Sequence, residues 1–151
     1  PEETFDDFKA SLDKAIELSP ENITVHTLCL KKGSKLKESM DRLTGEEVPK
    51  MVDYAHIALH SAQYSPYYLY RQKYMAANLE NTGYSKKGKE CIYNIDIMEE
   101  IASILSCGAN AVGKRLFPNE NRIERLGEPK DIKTYLDKLD EIIEEKNQLF
   151  S

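Results

Sequence analysis

The residues with the clearest chemical potential cluster in one stretch. Five of the nine tyrosines (Tyr64, Tyr67, Tyr68, Tyr70 and Tyr74) lie within a dozen positions, and Arg71, Gln72 and Lys73 sit among them. Flat rings offer stacking surface, and cations offer charge-assisted hydrogen bonds to carboxylates. On residue types alone, the plainer reading is a strand with Tyr toward the core and charges in solvent. Downstream, Asn78, Glu80 and Asn81 either hold a ligand or build a turn at Gly83, since Asx residues favour turns for local reasons. Lys86, Lys87 and Lys89 surround Gly88 and read as a solvated turn.

Two further stretches allow close approach by a cofactor. Thr27-Leu28-Cys29-Leu30 ends a strand-like run, and barrel folds bind ligands at the carboxyl ends of parallel strands. Cys107-Gly108-Ala109-Asn110-Ala111 has little side-chain bulk, so a flat group can reach the backbone. Metal chemistry has weaker support. Cys29, Cys91 and Cys107 are too far apart to converge on an iron–sulfur cube and read as small buried side chains. His56 and His60 share a helix face, but Ile57 stands where a zinc protease needs Glu. His26 reads as a hydrogen-bonded core histidine.

The elements that must position these residues follow from periodicity. Thr4 caps a helix with Phe5, Phe8, Leu12, Ala15 and Ile16 on one face, and Ser19-Pro20 ends it. The run 23–30 is β-branched and almost uncharged, which suits a strand covered on both faces in a parallel sheet. A helix spans 46–63 and stops at Ser65-Pro66. Strands are expected at 67–75, 91–98, 101–107 and 122–126, with turns at 81–83 and 87–88. Pro129 opens a last amphipathic helix to about Lys146, its stripe being Ile132, Tyr135, Leu136, Leu139, Ile142 and Ile143. The fold class is α/β with an antiparallel meander. Because a helix precedes the first strand, the strand before that helix is expected upstream.

The 151 residues suffice for one ordinary domain, and 40 % hydrophobic with 31 % charged residues fits a soluble protein. No apolar run approaches the roughly 20 residues of a membrane span. The acidic start, Pro1-Glu2-Glu3, is no signal peptide. A net charge of −5 argues against nucleic-acid binding. Three scattered cysteines fit a reducing, cytoplasmic setting.

Three stretches carry a resemblance. They are Asn22-Ile23-Thr24-Val25-His26-Thr27-Leu28 with Lys32-Gly33-Ser34; Tyr67-Tyr68-Leu69-Tyr70-Arg71-Gln72-Lys73 with Asn78-Leu79-Glu80-Asn81-Thr82-Gly83-Tyr84; and Tyr93-Asn94-Ile95 with 107–111. In this order and spacing they resemble the C-terminal region of oxygen-independent coproporphyrinogen III oxidase-like radical S-adenosylmethionine (SAM) proteins, in the coproporphyrinogen dehydrogenase branch. The resemblance implies the end of a partial (β/α) barrel of radical SAM type at 1–46, and a C-terminal extension at 47–151. It implies SAM near Thr27, Leu28, Cys29, Gly108 and Ala109. It implies a tetrapyrrole substrate near Tyr70, Arg71, Lys73 and Glu80, and oxidative decarboxylation of coproporphyrinogen III to protoporphyrinogen IX. Some relatives bind or deliver haem instead. The family's C-x-x-x-C-x-x-C loop, which holds a [4Fe–4S] cluster, is absent from this sequence. The missing N-terminal half is therefore the expected partner, and an uncovered sheet edge is expected to promote self-association.

Overall fold

The computed structural model describes residues 3–30, 34–39, 45–71 and 76–151. These fall into two compact units, Pro1–Met98 and Glu99–Ser151.

In the first unit, α1 (Phe5–Leu18) begins at a capping box. The Asp7 N–H donates to the Thr4 hydroxyl, and the Thr4 N–H donates back to the Asp7 carboxylate at 3.1 Å. Ser19 ends the helix in the left-handed region. A short α2 (Lys35–Ser39) follows, then α3 (Val48–Ser61), which has Pro49 in its first turn. Met51, Ala55 and Leu59 fall on the buried face of α3.

Three antiparallel strands form one sheet in the order β1 (Asn22–Val25), β3 (Asn81–Ser85), β2 (Ser65–Tyr70). Leu12 of α1, Ala55 and Leu59 of α3, Tyr64, and Tyr84 of β3 make the core, with Ile23 and Val25 packed against it. The helices therefore cover the face that carries Tyr84. Pro66 is tolerated because β2 is an edge strand. A bulge between Pro66 and Tyr68 sets Tyr68 opposite Gly83.

Several expectations are corrected here. The run 23–30 is a strand only as far as Val25. It pairs antiparallel and is half-buried rather than covered on both faces. Past Val25 the ladder stops because the Thr27 N–H donates to the Asn81 side chain instead. His26 is exposed, not a core histidine. Residues 81–83 are the central strand, not a turn. The expected strand at 91–98 is helix α4 (Ile92–Glu99), opened by the Asn94 and Ile95 N–H groups on the Cys91 carbonyl. Its β-rich composition yields to context. Gln72 to Met75, and with them Lys73, lie outside the described residues. The cysteines are not core: Cys29 and Cys91 are half-buried and Cys107 is exposed.

The second unit is built on a hairpin of β4 (Val112–Phe117) and β5 (Arg122–Gly127). The expected strand at 101–107 is irregular apart from one bridge between Ile104 and Lys114. The last helix comes in two pieces, α5 (Ile132–Asp137), capped by Asp131, and α6 (Leu139–Phe150). Every strand pairing among the described residues is antiparallel. No described helix is long and apolar enough to cross a membrane.

Candidate functional site

One end of the three-stranded sheet gathers four of the residues singled out above. Tyr70 is the last residue of β2 and pairs with Asn81, the first of β3. Arg71 follows Tyr70, and Glu80 precedes Asn81. Side by side, they form an ion pair at 2.8 Å. The Thr27 N–H donates to Asn81 Oδ1 at 2.7 Å, and its hydroxyl donates to the Glu80 carbonyl at 3.2 Å. Thr27, Tyr70, Arg71 and Glu80 are thus one cluster. Asn81, which is buried, is the clamp that joins them.

The sheet face opposite the helices is aromatic. Strand alternation puts Gly83 on the face away from Tyr84. The Tyr68 ring lies directly on Gly83, where an added Cβ would come within 1.9 Å of a ring carbon. The ring crosses β3 so that its hydroxyl meets the Thr24 hydroxyl of β1 at 3.2 Å. Tyr67 packs edge-on to Tyr68 at 4.9 Å and accepts a hydrogen bond from Asn94 of α4 at 2.9 Å. Two residues beyond Tyr68, Tyr70 shares its face and is exposed. Residue types alone do not set Tyr68 apart from the other tyrosines of the stretch. A glycine opposite an aromatic in a paired strand is the signal that finds it.

The electrostatics leave the guanidinium accessible. Arg71 is 65 % exposed and Glu80 is 30 % exposed. A guanidinium carries five N–H donors, so one bond to Glu80 does not exhaust it. Tyr84, on the covered face, has its phenol pushed up by burial. Lys86 is occupied elsewhere: its ammonium donates to the Ser19 carbonyl at 2.6 Å and lies 5.5 Å from the Tyr64 ring centre. It closes the C-terminal end of α1.

Gly108 and Ala109 belong to the second unit. Gly108 has φ +117°, and an added Cβ there would meet nothing within 4 Å. The turn is fixed from behind by Glu128. Its carboxylate accepts from the Ser106 hydroxyl at 3.3 Å and the Gly108 N–H at 3.2 Å, and pairs with Lys146 at 2.5 Å. Lys146 also donates to the Ser106 carbonyl at 2.8 Å. Neither Glu128 nor Lys146 stood out in the sequence, because their pairing spans the hairpin and α6.

The chain's own residues fit a cluster poorly. No group of three or more His, Cys, Asp or Glu converges among the described residues. For SAM the fit is mixed. The Gly108 edge is open and Leu28 is exposed, while the Thr27 N–H and hydroxyl already donate to Asn81 and Glu80.

No family profile matches the chain, and no solved structure does. One curated protein matches well: the oxygen-independent coproporphyrinogen-III oxidase-like protein HemZ of Bacillus subtilis (strain 168). It is 40 % identical over 149 residues, which is 97 % of this chain and 30 % of that protein. The resemblance read from the tyrosine-rich and Asn-Leu-Glu-Asn-x-Gly-Tyr motifs therefore holds: the chain is related, along nearly all its length, to an oxygen-independent coproporphyrinogen-III oxidase-like protein.

Proposed function

We propose that the chain is part of a radical SAM oxidoreductase of haem biosynthesis, which oxidatively decarboxylates coproporphyrinogen III to protoporphyrinogen IX. The observation that carries this reading is the Tyr70–Arg71–Glu80 cluster, set within a chain 40 % identical to a coproporphyrinogen-III oxidase-like protein. Because the chain spans only 30 % of that relative, the activity belongs to the proposal for the whole protein.

In this reading residues 1–46 close a partial (β/α) barrel. β1 is an edge strand, so its outer edge can take the strands that the rest of the protein supplies. Residues 47–151 form the extension. SAM and the [4Fe–4S] cluster supply hydrogen abstraction when bound, and the cluster ligands come from outside this chain. The resemblance assigns Leu28 and Cys29 of the first unit, and Gly108 and Ala109 of the second, to SAM contact, while Thr27 holds its strand end in place.

The tyrosine-rich stretch and Glu80 act on the substrate. Arg71 binds a propionate carboxylate through the donors that Glu80 leaves. Glu80 keeps the guanidinium extended from the sheet end rather than folded onto a tyrosine. Tyr68 and Tyr70 lie along the macrocycle. Lys73 serves a second propionate. Such a cytoplasmic enzyme needs no membrane span.

The test uses the whole protein with its cluster reconstituted anaerobically. It is incubated with SAM, reductant and coproporphyrinogen III, and 5′-deoxyadenosine and protoporphyrinogen are followed together. Both are expected. SAM cleavage without loss of the porphyrinogen would overturn the substrate. Tight haem binding with neither product would overturn the enzyme reading.

A further inference from the structure

The helical tail of the second unit has two apolar faces, and only one is used. Ile142 is buried, on the side of the helix where Lys146 meets Glu128 and Ser106 of the same unit. About a quarter turn round the helix lie Ile132, Leu136, Leu139 and Ile143. These are 69 %, 60 %, 37 % and 48 % exposed. The stripe is continuous despite the break between α5 and α6. The Lys138 N–H still donates to the Thr134 carbonyl at 3.2 Å, and the Ile142 N–H to the Lys138 carbonyl at 3.0 Å. At 3.6 residues per turn the four side chains fall within about 60° of arc. Their spacing of four, three and four is that of a two-helix seam.

The stripe reads the same in both directions: Ile, Leu, Leu, Ile. Turned end for end about its midpoint, it lays Ile132 beside Ile143 of a second copy and Leu136 beside Leu139. The charges agree with that arrangement. On the open flank Lys133 lies toward the start, Asp137 at the middle, and Asp140 and Glu144 toward the end. Antiparallel pairing sets Lys133 of each copy against Asp140 and Glu144 of the other, twice over. A parallel pair gives Lys133 no such acidic partner.

We infer that this face is a two-fold, antiparallel docking surface for a second copy of the chain. An isologous contact of this kind is self-complementary and closes at two. Four side chains a copy make a small seam, in the class below about 1,200 Å² that goes with weak, reversible association. The inference does not rest on the proposed oxidase activity, and it uses a surface separate from the β1 edge.

The test is sedimentation velocity on the 151-residue chain from about 1 µM to about 0.3 mM, a range that brackets the weak dissociation constants such a seam gives. A reversible monomer–dimer equilibrium is expected. Leu136→Glu is expected to weaken it more than tenfold, with an unchanged circular dichroism melt because the site is exposed. Lys133→Glu is expected to weaken it about fivefold. Adding Asp140→Lys and Glu144→Lys to Lys133→Glu is expected to restore it to within about twofold of the parent, since the charge pattern is swapped intact. A chain that stays monomeric throughout would overturn the inference, and the stripe would belong against another part of a longer protein. Association that survives Leu136→Glu would also overturn it and point to the sheet edge. Failure of the triple variant to recover would overturn the antiparallel register.

Discussion

Arg71–Glu80 in the first unit and Lys146–Glu128 in the second are the same kind of contact in opposite surroundings. The first is 65 % and 30 % exposed; the second is 13 % and 1 % exposed. Exposure decides what each can do. An ion pair in water contributes little stability, up to about 1 kcal/mol, and each partner stays free to exchange. Arg71 can therefore bind a ligand. A buried pair is different. Glu128 has its oxygens filled by Ser106, Gly108 and Lys146, so its charge fixes backbone and is closed to exchange.

The sharpest way to break the comparison is to remove one partner from each pair. Glu128→Ala leaves the mostly covered Lys146 ammonium without its counter-charge and frees the Gly108 turn. Losing one partner of a buried pair costs about 3–5 kcal/mol. Denaturant unfolding is expected to show a loss of that order for Glu128→Ala. Arg71→Ala is expected to stay within about 1 kcal/mol of the parent. Similar costs at both sites would mean that burial does not separate their roles.

Next in size is Gly83→Ala. The new methyl would collide with the Tyr68 ring, which sits in the middle of the sheet rather than at a flexible end. Forcing a ring aside in a packed site costs about 1–3 kcal/mol. Gly83→Ala in a Tyr68→Ala background is expected to cost much less, because the collision partner is gone. Additive losses in that double-mutant cycle would show that the two residues do not meet.

The ligand side of the comparison is tested at Arg71 itself. Removing a hydrogen bond to a charged group costs about 1.5–3 kcal/mol, so Arg71→Ala in the whole protein is expected to weaken coproporphyrinogen III binding about 10- to 100-fold. Arg71→Lys keeps the charge but loses the fork, and is expected to recover only part of it. Unchanged affinity in Arg71→Ala would remove this residue from the site.

The sequence made some of this legible and hid the rest for identifiable reasons. Helices α1 and α3 were readable because their apolar residues recur at helical spacing and their ends carry Thr4, Ser19-Pro20 and Pro49. The Tyr70–Arg71–Glu80 cluster was readable through motif, since the three residues are near in sequence. The central strand was not, because Asn-Thr-Gly is also a turn sequence. What makes it a strand is pairing with two partners, one of them more than fifty residues away. α4 was misread because Tyr93, Ile95 and Ile97 alternate as a strand would, while the contacts that decide are local carbonyl bonds and Tyr67. Glu128 and Lys146 were invisible because an ion pair across 18 positions has no local signature.

The smallest expected effect compares the two helix caps, one in each unit. The Thr4 hydroxyl and then the Thr4 N–H hold the Asp7 carboxyl below its ordinary value of 3.8. The Thr134 N–H and then its hydroxyl do the same for Asp131. A carboxylate whose folded-state value is depressed stabilises the fold above its unfolded value. That contribution is lost as pH falls through the depressed value. Both caps should therefore hold at neutral pH and give way only in acid, below the ordinary carboxylate value. Removing the donors separates them. In Thr4→Ala the Asp7 carboxyl keeps its backbone bond but loses the larger hydroxyl bond, so its titration by carbon-detected magnetic resonance is expected to move up toward 3.8. In Thr134→Ala the backbone N–H remains the main donor, so Asp131 is expected to move less. Equal shifts in the two variants would show that side-chain and backbone donors contribute alike at the two caps, against the order of causes given by their geometry.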